Sequence, residues 1–542
     1  MMLALLYACE TDVVEVAEPL EPPSIFVPLD ERRLARRASI DLRGRLPTVD
    51  EVASVSEVGV DALIDAWLVD PSLEAHLVDV FAEDWLLRLD RLRVEPKEFG
   101  FTVEQGYAFT RAVGDEPARL IAHVVARDRP FTEIVTADYT LTNALLREML
   151  PVELAGPAGA DEWEVSRYTD GRPGNGVLAT SGLWLRYHTT IFNYNRGRAA
   201  ALARLLLCFD IAGRPVVFQG LDDESTDGLV EAVKSDPGCI SCHAAMDPLA
   251  GTLFGFWPYE DLDGRELVTY HPERERLSEQ TTGSAPGYFG TPVTAAGQLG
   301  PLVAADPRFP VCMARRAAER WWGRKTTSAD DGAVYALAGS LTAEWSYKEL
   351  IRAILATEEY RAGALTDAAS DAERDAHSVL RSLSPNTLAD VVEDATGFRW
   401  RFEEAEMVDE DLLGYRALLG GADGDSNRSP WLEPTVSRSL AIRRLAQGAS
   451  MTVVIADMAA EPAARTLLFS SGADPALLIA GTPDFDAELQ SLHLRLHAAE
   501  ADATELAAET ALYTEVAAVS GSAAGWMSVV TVLLRDPLFW AY

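Results

Sequence analysis

The chain has 542 residues, 48% of them apolar, with a formal charge of −37 and a sequence pI near 4.5. That length exceeds a single small core and points to about three domains, and the apolar share excludes a disordered or fibrous chain. So acidic a surface repels nucleic acid and anionic headgroups; it reads either as a solvated surface or as one that steers a basic redox partner.

From the N-terminus, the apolar run Met1-Met2-Leu3-Ala4-Leu5-Leu6-Tyr7-Ala8 ends at Cys9. Leu6-Tyr7-Ala8-Cys9 looks like a bacterial lipobox, whose cysteine is lipidated after the signal is cut, although the run is short and lacks a basic start. No other stretch approaches the ~18 uninterrupted apolar residues of a membrane helix, so membrane attachment is expected through a lipid anchor only. Residues 10–28, acidic and Pro-rich, read as a tether, with order beginning at Leu29. Thr48 and Glu51 fit a capping box. Helical periodicity over 61–89 places Trp67, Leu68, Leu77, Phe81 and Trp85 on a buried side. A recurring turn follows apolar helices: Asp70-Pro71-Ser72-Leu73, Asp306-Pro307-Arg308-Phe309, Glu358-Glu359-Tyr360 and Asp536-Pro537-Leu538-Phe539. It reads as a helix-turn-helix connection, with Pro where a helix cannot continue. Residues 156–177 and 281–292 read as loops.

Strand signals are sparse and Ala-, Leu-, Glu- and Arg-rich stretches dominate. The expected class is mainly α, a multi-domain helical protein with little strand. The expected order is a tether at 1–28, a helical domain at 29–150, a second at 151–365 carrying the motif below, and a third at 366–542. A composition shift over 365–384 places the last boundary, and an apolar helix at 525–534 closes the chain.

Cys239-Ile240-Ser241-Cys242-His243 has the CxxCH spacing of a c-type haem attachment site. Two thiols one helical turn apart reach the two haem vinyl groups as thioethers, and the histidine becomes the proximal iron ligand. Zinc would want a fourth ligand and a second close pair; a Cys239–Cys242 redox disulfide would want a thioredoxin-like βαβ frame. Met313 or His188 is the candidate distal ligand, with His271 a third option, while Met246 lies too close to His243 to reach the opposite haem face. An open sixth position would admit peroxide. The cluster Tyr187-His188-Thr189-Thr190 and Tyr194-Asn195-Arg196-Gly197-Arg198 has two readings: guanidinium clamps on haem propionates, or ties between a loop and a helix over 199–207. With Cys9 on lipid and Cys239 and Cys242 on haem, Cys208 and Cys312 remain. In an oxidising compartment they form a disulfide or stay as buried thiols.

Further along, Asp423, Asp425 and Asn427 alternate like the start of a calcium loop. Arg428 stands where Gly is needed and the twelfth-place Glu is missing, so a polar turn is expected. His493 and His497 share one helix face; without an intervening Glu of the zincin kind they read as a solvated face. There is no nucleotide-binding loop and no nucleophile elbow.

The motif continues as Cys-x-x-Cys-His-x-x-Met-Asp-Pro-Leu through Leu249. This resembles the planctomycete-type cytochrome c family, large exported bacterial proteins whose haem motif is followed by Asp-Pro-Leu-Gly; Ala250-Gly251 departs from that ending. Residues 36–48, 309–324 around Cys312, and 350–361 are similar to other segments of the family, and 415–425 with Asn427-Arg428-Ser429 to an associated domain. The resemblance implies export and covalent haem c and names no substrate. Three functions are compatible: electron transfer with a redox partner protein or small electron carrier, a haem-dependent oxidoreductase or peroxidase-like enzyme, and a structural or binding lipoprotein stapled by haem or zinc. The expected location is extracytoplasmic, in the periplasm or on the cell surface.

Overall fold

The computed structural model describes residues 24–542 except 89–91, 93, 104, 212, 214–232, 234, 259–262, 378, 404, 409–414, 423–429, 431–434, 470–471 and 476–477. Helices dominate and the strands are short, as the mainly α expectation has it. Asp30 caps the first helix, Glu31–Arg43, by accepting the Arg33 amide; Gly44 ends it in the left-handed region at φ 67°. A side chain at Gly44 would also run into the His76 ring. The Thr48–Glu51 capping box forms and starts the helix Val49–Val58.

The periodic stretch from residue 61 is two helices, Val60–Trp67 and Ser72–Asp84. Trp67, Leu68, Leu77, Phe81 and Trp85 are all buried. The break lies at Asp70-Pro71, and the Asp70 carboxylate accepts the Ser72 amide at 2.8 Å. Asp306 does the same for Arg308 at 2.9 Å, and Asp536 for Leu538 at 2.8 Å. The recurring turn is therefore chiefly a start signal. Its aspartate satisfies an orphan amide of the next helix while Pro ends the previous one.

Two apolar cores result. The first gathers Leu34, Trp85, Ile121, Leu202, Leu249, Trp321 and Ile354 among others, so it runs across residue 150 without a break. The second gathers Leu388, Leu445, Leu489, Trp526 and Val530, together with Ile40 and Leu46 from the N-terminal end. A smaller cluster forms around Phe99, Phe109 and Leu185. The Glu31–Arg43 helix lies between the two main cores, and its adjacent arginines bind opposite ways. Arg36 donates to the carbonyls of Leu496 (3.0 Å) and Phe539 (2.6 Å). Arg37 donates to those of Tyr360 (2.6 Å), Ala362 (2.8 Å) and Val379 (3.1 Å).

Three short strand systems differ from the sequence reading. Phe26–Pro28, assigned above to the tether, pairs antiparallel with Ala362–Leu365. Glu164–Tyr168, assigned to a loop, is the middle strand between Thr140–Thr142 and Val152–Leu154. Gly287–Tyr288 and Thr291–Pro292 make a small hairpin inside the loop expected at 281–292. Each strand is only two to five residues long and takes its hydrogen bonds from a partner that local periodicity does not reveal.

Candidate functional site

The cysteine-histidine motif opens the helix Pro237–Gly251. Asp236 caps it, accepting the amides of Gly238 (2.8 Å) and Cys239 (3.1 Å), and Pro237 occupies the first turn, where no amide is needed. Cys239, Cys242 and His243 thus stand at i, i+3 and i+4 and share a face. The far half of the helix, with Asp247, Leu249 and Ala250, is buried, whereas the half bearing the motif is partly open. Both thiols are unbonded. Cys242 donates to the Ile211 carbonyl at 3.4 Å. Burial, and then the neighbouring Asp236 charge, raise the pKa of the Cys239 thiol.

One turn beyond, His243 Nδ1 lies 2.9 Å from Asp247 Oδ1. Arg196 holds the same carboxylate with both ends of its fork, Nε to Oδ1 at 2.7 Å and Nη2 to Oδ2 at 3.0 Å. Burial opposes ionisation of Asp247, but the hydrogen bonds from His243 and Arg196 outweigh it and hold its pKa below the ordinary value. An ionised carboxylate only accepts, so Nδ1 donates to Asp247 and Nε2 is the ring nitrogen turned away from it. A carboxylate placed behind the ring in this way orients a histidine metal ligand and raises its basicity.

Of the two readings of the arginine cluster, Arg198 fits the tie between loop and helix. Arg198 is buried and donates to the carbonyls of Tyr187 (3.0 Å), Trp184 (3.0 Å) and Phe256 (2.7 Å), tying the loop to the helix Arg196–Leu207. Arg196 serves Asp247. Met246 packs on the first core. Met313 is buried in that core on the helix Arg308–Trp322. Its neighbour Cys312 is disulfide-bonded to Cys208, with Cα atoms 5.2 Å apart. His188 is exposed. His271 sits between two carboxylates, Glu266 at 2.8 Å and Glu273 at 3.3 Å.

His493 and His497 correct the expected solvated face. Both are buried, His493 against Glu509 at 2.8 Å and His497 donating to the Leu533 carbonyl at 3.1 Å. Helices packed on that face, invisible to a single-helix reading, cover it. Cys9, Asp423, Asp425 and Asn427 lie outside the described residues. Among the described residues no three His, Cys, Asp or Glu side chains converge as a metal-ion site, and no helix is long and apolar enough to cross a membrane.

Sequence reasoning missed the cap at Asp236 and the pairing of Asp247 with His243 and Arg196. Asp236-Pro237 repeats the Asp-Pro start signal, and Asp247 stands four residues after His243, so both were legible. The bond from Arg196, 51 residues before Asp247, was not. The chain matches no family model, no curated protein and no solved structure.

Proposed function

We propose that this is an exported c-type haem protein of the electron-transfer kind, anchored through Cys9, with Cys239 and Cys242 as thioether positions and His243 as the iron ligand. The observation that carries the proposal is the Arg196–Asp247–His243 chain, which fixes the one histidine that follows two unbonded thiols on the same capped helix. The donor set fits the group: two thiols at the required spacing, an imidazole whose Nδ1 is engaged by Asp247, and a helix face left partly open on the motif side. A haem bound there would supply a one-electron couple. The chain's own residues orient the imidazole and, through the Asp247 charge, make Nε2 a stronger donor. The Cys208–Cys312 disulfide supports an oxidising compartment, where such disulfides persist. The likeness to planctomycete-type cytochromes c points the same way.

The test is expression in a strain with a haem-attachment system. The denatured, reduced protein in pyridine is expected to show a c-type band, and the Cys239→Ala/Cys242→Ala double variant none, with its helical circular dichroism retained. A wild-type protein without that band ends the proposal. Asp247→Asn removes the charge behind His243 and is expected to raise the reduction potential by on the order of tens of millivolts. Spectroelectrochemical titration measures it, and an unchanged potential would remove Asp247 from the tuning role.

A further inference from the structure

The helix Val436–Ala459 turns one face into the second core, through Ile442, Leu445, Val453 and Val454. Its opposite face carries large apolar side chains into solvent. Val436 is 79% exposed, Leu440 56%, Met451 53% and Ile455 57%. Leu440, Arg444, Met451 and Ile455 follow one another at intervals of four, seven and four, so they lie in one line along the helix. From Leu440 to Ile455 that line is about 22 Å long. A single exposed apolar residue is ordinary, but a continuous line of them marks a surface that is covered in use.

The charges of the helix are divided in the same way. Arg443 and Arg444 are exposed on the apolar face. Among the described residues neither pairs with a carboxylate, and Arg444 reaches Gln447 at 3.5 Å. The one acidic residue of the helix, Asp457, is buried on the core side. There its carboxylate accepts the amides of Thr466, Leu467 and Leu468, each at 2.8 Å. The exposed face is thus apolar and cationic, with no negative group of its own, in a chain where acidic residues outnumber basic ones 84 to 47.

Whatever covers this face must offer both an apolar layer and negative charge. A second copy meeting it face to face would bring four guanidiniums together and no carboxylate. The surface of an anionic bilayer meets both demands: apolar side chains enter the acyl boundary while arginines stay among the phosphates. The acidic remainder of the molecule does not prevent this, since charges more than about 8 Å apart are largely screened at physiological salt. We propose that the Leu440–Ile455 face lies in the surface of an anionic lipid bilayer, with Arg443 and Arg444 on the headgroup phosphates. The contact is independent of any lipid on Cys9.

Flotation of the full chain carrying Cys9→Ser, which removes that lipid, tests this. The probes are vesicles of equal parts phosphatidylglycerol and phosphatidylethanolamine, and vesicles of phosphatidylcholine alone. The protein is expected to float with the first and about ten-fold or more weakly with the second. Arg443→Glu/Arg444→Glu should bring binding to the anionic vesicles down to the phosphatidylcholine level. Leu440→Asn/Met451→Asn/Ile455→Asn should weaken it about ten-fold or more, while Tyr335→Asn, an exposed apolar site on another helix, should leave it unchanged. No flotation with the anionic vesicles, equal flotation with both, or full flotation by either multiple variant with native circular dichroism would each overturn the proposal. So would a parent chain dimeric by light scattering beside a monomeric triple variant, which would give the face to a second copy.

Discussion

Glu51 does three things with one carboxylate. It accepts the Thr48 amide at 2.8 Å, takes Nη1 and Nη2 of Arg43 at 2.9 and 3.0 Å, and accepts the Trp67 indole at 2.9 Å. Burial works to raise its pKa, but these bonds outweigh it and bring the value from 4.5 down to about 2. A depressed folded value means that the stabilisation is complete above pH 4.5 and is lost as the pH falls through about 2. Glu51→Gln is expected to cost about 1 kcal/mol at neutral pH, the usual worth of such a cap. In thermal unfolding, the gap to wild type should shrink as the pH falls from 4.5 to about 2; a gap independent of pH would show that the charge is not what matters. The Thr48–Glu51 half of this site was legible because a capping box has a fixed spacing of three. The Arg43 and Trp67 half was not, because separations of 8 and 16 encode no local geometry. The same divide runs through the motif helix. Asp247 is one helical turn from His243 and could be read, whereas Arg196 arrives through the fold.

At the scale of elements, the Cys208–Cys312 bond joins the end of the helix Arg196–Leu207, where Cys208 takes a left-handed conformation, to the helix Arg308–Trp322. The 104-residue separation encloses the whole motif helix, and Arg196, which holds Asp247, stands outside that loop on the helix leading into Cys208. Replacing both cysteines by alanine is expected to cost about 2–5 kcal/mol. A reductant should lower the unfolding midpoint of the wild type to that of the variant and leave the variant unmoved. Equal midpoints without reductant would remove the bond from the stability of this unit. The closing helix expected at 525–534, which runs over Ser522–Arg535, was legible because its apolar residues repeat over several turns. The strand Thr140–Thr142 was not, since three residues hold too little alternation to register and its hydrogen bonds come from Glu164–Tyr168.

At the scale of the molecule, one helix serves two cores. Glu31–Arg43 gives Leu34, Ala38 and Leu42 to the first and Ile40 to the second, and Arg36 alone holds two carbonyls of the C-terminal third. Arg36→Ala leaves both without a donor, at about 1–3 kcal/mol each. Amide hydrogen exchange should then quicken in Pro483–His497 and Pro537–Trp540 while Gly106–Ala126 keeps its protection. Uniform loss across the chain would show instead that the two cores unfold as one. The shared helix also has a consequence in time. It leaves the ribosome early, yet its partners are Tyr360, Ala362, Val379, Leu496 and Phe539. At 5–20 residues per second, some 500 residues of synthesis take roughly 25–100 s. Through that interval the Arg36 guanidinium lacks both carbonyls that it binds in the folded chain, whereas Leu34, Ala38 and Leu42 can already pack on the helices that follow. The second core, which needs Leu496 and Phe539 for its contacts with this helix, is therefore the last to close.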